Sequence, residues 1–470
     1  MCYYCIIVTW ALYYVLSSVR SVFPWETCDN WWNNLRCVVP GENMTKLALI
    51  ETNLTQYNMT IQTSVEQFWE NRVLMTTDRI DDTGDIQWEL LAVNLLSWVI
   101  VYFALWKGIT KARKFVYVCA LSPYLLLFIL FFRGITLPGA SQGLSYYLYP
   151  NISKLAETSV WKDAGTQVFY SYGIGYGALI ALGSHNRYNH NCYKDALILC
   201  LINSSTSILA GFVVFSILGY MSFMAGKAVE EVVKSGVGLA FLTYPEVAVQ
   251  LPLKQIWAFL FFLMLSILGM DSQMCTVEGA FTALEDIFPK YLRQQKKICL
   301  ALLCMVCFLL GVPMITQAGS HWLTLIDQYG ASGICLLWIV FFEVVGLSWG
   351  VGVKRIGAAM EDMLGFTPSK IWFFLWKFTA PAACLILFIF VVLRHEPLKY
   401  ADGEAYPTWA LTLGYLLSAT SMLSIPVYAV YYLATVPGNS LGEKIRKGLT
   451  PNFPYGHETV QSQMVDIVYA

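Results

Sequence analysis

Residues 165–184 read GTQVFYSYGIGYGALIALGS, and this stretch decides the fold. The run is apolar and about as long as the 20 residues that a membrane-spanning helix needs. Yet Gly173, Gly175 and Gly177 fall close together at its centre, and each glycine weakens a helix by up to about 1 kcal/mol relative to alanine. A helix broken at membrane depth is tolerated only where it faces protein or a cavity. The stretch therefore predicts an interrupted membrane helix beside a polar site, although close packing between helices would also explain the glycines.

The composition indicates the same class of protein. Of the 470 residues, 57% are hydrophobic and 13% are charged, whereas a soluble domain has about 25% charged residues. This excludes a soluble globular protein, a nucleic-acid binder and a disordered chain, and it predicts an all-α polytopic membrane protein. Apolar runs predict about ten spans, at 1–23, 88–106, 115–133, 165–184, 196–224, 255–288, 298–316, 322–350, 371–393 and 407–436.

Loop composition predicts which side of the membrane each loop faces. Clusters of Lys and Arg mark alternate loops as cytoplasmic. Cys28 and Cys37 lie in the outer loop 24–87. The outer side of the membrane is oxidising and favours a local disulfide between them, with two free thiols as the alternative. The transmembrane domain is expected over 1–436, and the polar tail 437–470 is expected to be mobile and cytoplasmic. Acceptors for N-linked glycans lie on the outer side, at Asn43, Asn53, Asn58 and Asn151.

Polar side chains recur at helical spacing inside three predicted spans, where such groups are candidates for function. In LGMDSQMCTVEG, steps of three and four residues place one set on a single face: Leu268, Asp271, Ser272, Cys275 and Thr276. This face offers the carboxylate of Asp271 and the hydroxyls of Ser272 and Thr276, with a backbone carbonyl as a further candidate. Oxygen ligands of these kinds suit hard cations. Gln167 shares a face with Ser171, and Asn203 shares one with Ser207. Bonds between helices would also explain the hydroxyls and amides, whereas a carboxylate at mid-membrane costs roughly 2.5–3.5 kcal/mol.

Seven stretches together resemble the sodium- and chloride-coupled neurotransmitter transporter family, from Tyr3 to about residue 450. They are YYCIIVTWALYY, PWETC, RGITLPGASQGLSYYLYP, VWKDAGTQVFYSYGIGYG, NCYKDA, GLAFLTYPE and LGMDSQMCTVEG, in family order. SYG together with DSQ-x-CTVEG is most similar to GABA transporters. The resemblance implies a leucine-transporter-type inverted-repeat fold. It also implies that the repeat is incomplete here, with about ten of twelve helices, because the first two and the start of the third lack a counterpart.

The resemblance assigns roles to individual residues. It implies sodium ligands at Ser171, Asn203, Leu268, Asp271 and Ser272, and chloride ligands at Gln167, Ser171 and Ser207. It implies substrate contacts at Tyr4, Tyr170, Gly173 and Thr276, an outer gate at Asp327, and inner-gate positions at Asp286 and His185. From the residues alone, the two acids would be read as solvated at the membrane interface. The neutral Ser207 implies use of chloride, because chloride-independent bacterial relatives carry a carboxylate there.

The function that this resemblance implies is transport and not catalysis. A plasma-membrane symporter would take up a small amino acid together with Na⁺ and Cl⁻ by alternating access, and GABA is the first candidate for that amino acid. Taurine, betaine, proline or a monoamine are the alternative substrates. Two further alternatives are a non-transporting truncated isoform that associates with intact relatives, and a receptor or channel. The expected partners are the substrate and the lipid bilayer but no nucleic acid, and a homo-oligomer is left open.

Overall fold

The computed structural model is mostly helical over the residues that it describes. These are residues 1–40, 61–108, 113–232, 239–400 and 402–449. Three of the predicted glycan acceptors lie outside the described residues, namely Asn43, Asn53 and Asn58.

The described residues form twenty α-helices. In chain order they are α1 (Cys2–Ser18), α2 (Ser64–Gln67), α3 (Trp88–Leu105), α4 (Arg113–Ile135), α5 (Ala140–Leu148), α6 (Thr158–Tyr172), α7 (Ala178–Ser184), α8 (Cys192–Ala225), α9 (Val229–Val232), α10 (Tyr244–Gln250), α11 (Lys254–Ile287), α12 (Pro289–Leu292), α13 (Lys296–Gly311), α14 (Gly319–Ile326), α15 (Gly333–Val345), α16 (Val353–Leu364), α17 (Lys370–Phe374), α18 (Ala380–Leu393), α19 (Thr408–Thr435) and α20 (Leu441–Gly448). Segments of π-helix adjoin several of them, at Phe68–Leu74, Leu239–Thr243, Asp327–Ala331, Gly346–Gly352 and Leu375–Thr379. Two short 3₁₀ segments are Ile152–Ala156 and Val312–Ile315, and strands β1 (Cys37–Val38) and β2 (Gln62–Thr63) pair in parallel.

Eight helical segments of the described chain are long and apolar enough to cross a membrane. They correspond to eight of the ten predicted spans, and helices occupy the other two places as well. One of these is α1, which has 17 residues. The other is the stretch 165–184, which is divided between α6 and α7. The prediction of an all-α polytopic membrane protein is therefore confirmed.

The chain divides into two compact units. The first unit consists of Met1–Asn151 and Ser204–Thr324. The second consists of Ile152–Asn203 and Leu325–Ala470.

In the first unit, α11 is the helix around which the others pack. It contacts α1, α3 and α4. Gly269 allows α1 to come close, because a Cβ atom at this position would lie only 2.7 Å from Cγ2 of Val8. Tyr14 anchors an aromatic core, since its hydroxyl donates to the carbonyl of Phe241 at 3.2 Å and its ring lies 4.6 Å from that of Phe262. This packing fixes which face of α11 is left for ligands.

In the second unit, the interrupted helix packs on α15 and α18. The buried centre of this packing consists of Leu336, Val340 and Cys384. Phe169, before the interruption, and Ile174, within it, pack against that centre. The interruption is therefore seated on apolar side chains of the same unit.

The chain beyond the last long helix is not irregular throughout. α20 begins after Ser440, whose hydroxyl accepts a hydrogen bond from the backbone N–H of Glu443 at 3.2 Å, as a helix cap does. A Glu443–Lys447 ion pair of 2.9 Å also supports this helix, and the mobility and cytoplasmic location of the tail 437–470 stay predictions. Residues 450–470 lie outside the described part of the chain.

Candidate ion and substrate site

The predicted interruption of the membrane helix is confirmed. α6 ends at Tyr172, α7 begins at Ala178, and the turn between them contains the three glycines. Gly173, Gly175 and Gly177 have φ values of 63°, 84° and 73°. This left-handed region is open to glycine and costly for other residues. The glycines thus break the helix by adopting a backbone conformation that a helix does not contain.

The end of α6 is bonded to α8 through two of the predicted ion ligands. The amide nitrogen Nδ2 of Asn203 donates to Oγ of Ser171 at 3.0 Å. One residue further along α6, the hydroxyl of Tyr172 donates to the carbonyl of Cys200 at 3.2 Å. Gln167 lies one turn before Ser171 with an exposed side chain. The structure thus brings Asn203 and Ser171 together beside the interruption, and their roles as ligands stay predictions.

The predicted cation-binding face lies on the unbroken helix α11. Asp271 is partly buried, and its Oδ1 is buried without a hydrogen-bond partner among the described residues. On the next turn, Oγ1 of Thr276 donates to the carbonyl of Ser272 at 2.8 Å. A buried carboxylate oxygen without a partner is costly. A cation at this oxygen would remove the cost, and the neighbouring oxygen groups fit a hard cation such as Na⁺.

A cavity opens directly in front of this carboxylate. It has a volume of about 470 Å³ and is lined by Leu268 and Asp271 of α11 together with residues of α4 and α8. Most of its wall is apolar, but Tyr124 and Thr206 share a hydrogen bond of 2.9 Å within it. The first unit therefore has room for an ion and its remaining ligands next to Asp271.

The other predicted substrate and gate residues are placed as follows. Tyr4 is partly buried in α1 beside the core of the first unit. The ring of Tyr170 lies edge-on to that of Tyr176, with 6.3 Å between the ring centres. Asp327 is partly buried and begins the π-helix Asp327–Ala331. Within the first unit lie Tyr4, Ser207, Leu268, Asp271, Ser272, Thr276 and Asp286, and within the second lie Gln167, Tyr170, Ser171, Gly173, His185, Asn203 and Asp327.

The two inner-gate positions are exposed. Asp286 lies one residue before the end of α11, and His185 directly follows α7. In the loop after His185, Tyr188 donates a hydrogen bond to the carboxylate of Asp362, and this bond raises the pKa of the tyrosine. The gate roles of Asp286 and His185 stay predictions.

The outer-loop cysteines have the geometry of a disulfide. Sγ of Cys28 and Sγ of Cys37 lie 2.06 Å apart, and the two Cα atoms lie 5.8 Å apart. Asn151, the predicted glycan acceptor within the described residues, is exposed. The disulfide and the glycan remain predictions about the protein in its oxidising compartment.

Two residues were overlooked by the sequence reasoning. Glu278 on α11 received no role, yet it is only 1% exposed and forms an ion pair of 3.4 Å with Nζ of Lys296 at the start of α13. An acid inside one apolar run and a lysine at the start of the next was the available signal. The second is Tyr176, whose hydroxyl donates to the carbonyl of Ala331 at 2.8 Å. No sequence pattern signals that bond.

An interrupted apolar helix and a partly buried carboxylate that lines a cavity are features of ion-coupled membrane carriers. Residues 1–436 match the model of the sodium:neurotransmitter symporter family, so the chain belongs to that family. The predicted leucine-transporter-type fold is thereby confirmed.

Named relatives are transporters and not enzymes. The chain is 58% identical over 448 residues to the sodium- and chloride-dependent betaine transporter of Caenorhabditis elegans. The aligned region covers 95% of this chain and 74% of that protein. It is 43% identical over 451 residues to sodium- and chloride-dependent GABA transporter 2 of Rattus norvegicus and of Homo sapiens, over 96% of this chain and 74% of each relative. The family resemblance is therefore confirmed, but the comparisons do not fix the substrate to GABA.

Proposed function

We propose that the chain is a plasma-membrane symporter that couples the entry of Na⁺ and Cl⁻ to the uptake of betaine, with GABA as the second candidate. The observation that carries the coupling is Asp271, whose buried Oδ1 lacks a hydrogen-bond partner in the described chain and which is one of the residues that line a cavity. Binding of Na⁺ at this carboxylate would couple uptake of the substrate to the sodium gradient. The names and identities of the two kinds of relative support the substrate order.

Sodium binding at α11 follows from electrostatics. Two unit charges 4 Å apart attract by about 4 kcal/mol at the effective dielectric constant of a partly buried site. Asp271 supplies the charge, and the hydroxyls of Ser272 and Thr276 supply neutral oxygen on the same face. The bound ion would neutralise a carboxylate whose Oδ1 has no hydrogen-bond partner among the described residues. Ion binding therefore favours the conformation in which the cavity can close.

Chloride binding at α6 follows from the direction of one hydrogen bond. Because Ser171 accepts the bond from Asn203, its own hydroxyl proton is directed elsewhere and can be donated to an anion. Gln167, one turn earlier on the same face, adds an amide donor. The resemblance supports the use of chloride independently, because position 207 carries a neutral serine and not a carboxylate.

Betaine is placed ahead of GABA on chemical grounds as well. A quaternary ammonium group cannot donate an N–H hydrogen bond, and proteins bind it against aromatic faces. Tyr170 and Tyr176 bring two rings together at the interrupted helix, with exposed fractions of 38% and 39%. The partial exposure of both rings would allow a trimethylammonium group to contact them. GABA carries a primary ammonium group and would gain less from these rings.

Ion-replacement uptake tests the proposal. Cells express the protein together with any reading frame that precedes Met1 in its transcript, and radiolabelled betaine and GABA are supplied at equal concentration. Na⁺ is replaced by N-methylglucamine, and Cl⁻ by gluconate. We expect betaine uptake to exceed GABA uptake and to disappear when either ion is replaced. The same protein with Asp271→Asn, matched for amount at the cell surface, is the control for background.

Three results would contradict the proposal. Uptake that persists without both ions would refute the coupling. Substrate-evoked current without accumulation would indicate a channel. Surface protein that takes up neither compound would refute the substrate assignment, and taurine, proline and monoamines would then be compared.

A further inference from the structure

One hydrogen bond joins the interruption of the membrane helix to the segment that carries Asp327. Tyr176 lies between Gly175 and Gly177, both of which have a left-handed backbone. Its hydroxyl donates to the carbonyl of Ala331 at 2.8 Å. Ala331 is the last residue of the π-helix that begins at Asp327, and the last carbonyls of a helix have no partner within it. Tyr176 therefore caps this π-helix from outside.

The other bonds to the π-helix come from different parts of the unit. The backbone N–H and the hydroxyl of Ser332 donate to the carbonyl of Asp327 at 3.0 and 2.8 Å. From α19, the hydroxyl of Ser418 donates to the carbonyl of Tyr329. These bonds hold the start and middle of the π-helix. Tyr176 holds its end, and does so from the element that carries the predicted substrate contact Tyr170.

Packing makes the connection stiff. A Cβ atom on Gly175 would lie 2.7 Å from Cγ2 of Val340, so the interruption is in close contact with α15. Ile174 packs against the cluster formed by Leu336, Val340 and Cys384. α15 starts at Gly333, two residues after Ala331. A movement of the interruption is therefore transmitted to the π-helix through both the hydrogen bond and the adjoining helix.

We infer that Tyr176 is a positioning residue that couples occupancy of the interrupted helix to the position of Asp327. The inference rests on the proposed function, because it takes Tyr170 as a substrate contact and Asp327 as the outer gate. Substrate that reaches Tyr170 also reaches the ring of Tyr176, whose centre is 6.3 Å away. The hydroxyl of Tyr176 then passes the displacement to Ala331. The coupling needs the hydroxyl, whereas substrate contact needs only the ring.

Tyr176→Phe separates these two roles, because it keeps the ring and removes the bond. We expect the KM for substrate to stay within twofold while the maximal uptake rate falls about three- to tenfold, the range for loss of one hydrogen bond. Tyr172→Phe is the matched control, since it removes a hydroxyl-to-carbonyl bond four residues earlier, to Cys200. Its maximal rate should stay within twofold of wild type. Equal losses in both variants, or a change in KM alone for Tyr176→Phe, would overturn the inference.

Hydrogen–deuterium exchange provides a readout that does not require transport. In the purified protein, Tyr176→Phe should speed exchange of the backbone amides over 328–333 about three- to tenfold, and Tyr172→Phe should leave it unchanged. Unchanged exchange in Tyr176→Phe refutes the coupling whether or not the protein transports anything. If the wild-type protein shows no ion-dependent uptake but Tyr176→Phe still speeds the exchange, the role of the hydrogen bond is supported and only the proposed function is refuted.

Discussion

The helices α11 and α6–α7 both carry predicted ion ligands, but they present oxygen in opposite ways. α11 is unbroken over 34 residues, and its predicted sodium ligands include a charged side chain, Asp271. In α6–α7 the helix is interrupted by glycines, and the nearby ligands Ser171 and Asn203 are neutral. The comparison teaches that a membrane site gains affinity either from a buried charge or from an opened backbone. The two designs should fail differently when mutated.

Removal of the charge on α11 should have the largest effect. Asp271→Asn keeps the size of the side chain but removes about 4 kcal/mol of attraction for a cation 4 Å away. We expect ion-dependent uptake to fall at least 100-fold at physiological sodium. Uptake measured over a range of sodium concentrations checks this, with Asp82→Asn on the exposed outer loop as the control. Uptake above one tenth of the wild-type rate would mean that α11 does not depend on its charge.

The interrupted helix should fail in steps that follow its backbone. Gly175→Ala adds a Cβ atom at φ 84° and 2.7 Å from Val340, and should lower uptake more than tenfold. Gly177→Ala is strained at φ 73° but meets nothing within 4 Å, so a three- to tenfold loss is expected. Gly183→Ala in α7 meets neither obstacle and serves as the control. The ranking is read from uptake per surface molecule, and equal losses in all three variants would refute it.

The neutral ligands should show the smallest effect, and their effects should be coupled. Ser171→Ala and Asn203→Ala each break the same 3.0 Å bond. The double variant should therefore lose less than the product of the two single losses. We expect each single change to raise the sodium concentration for half-maximal uptake about two- to tenfold. Independent, multiplicative effects would show that the two side chains do not act together.

Local rules predicted the features that depend on local physics. The glycines at 173, 175 and 177 predicted the interruption of the membrane helix, because the backbone preference of glycine does not depend on the rest of the fold. Asp271 stood out because hydrocarbon penalises an isolated charge wherever the chain goes. Helical periodicity also placed Ser272 and Thr276 correctly on the same helix as Asp271. These parts of the site needed no knowledge of tertiary structure.

Contacts between distant residues were beyond these rules. The bond from Asn203 to Ser171 joins two helices, and only the family resemblance suggested that the residues meet. Tyr176 and Ala331 are 155 residues apart, and a backbone carbonyl leaves no signature in a sequence. The ion pair of Glu278 with Lys296 joins α11 to α13, and spacing within one helix does not predict such a pair. In each case the missing information was which helices become neighbours.

The length of α11 has a consequence for the surrounding lipid. A helix of 34 residues is about 51 Å long, whereas the hydrocarbon layer is about 30 Å thick. The excess is accommodated by tilt or by ends that stand in the headgroup region, and either choice shifts when the bilayer thickens or thins. Asp271 lies midway along this helix, so the depth and surroundings of its carboxylate change with bilayer thickness. If Asp271 binds sodium as proposed, the sodium affinity should therefore differ between membranes of different thickness.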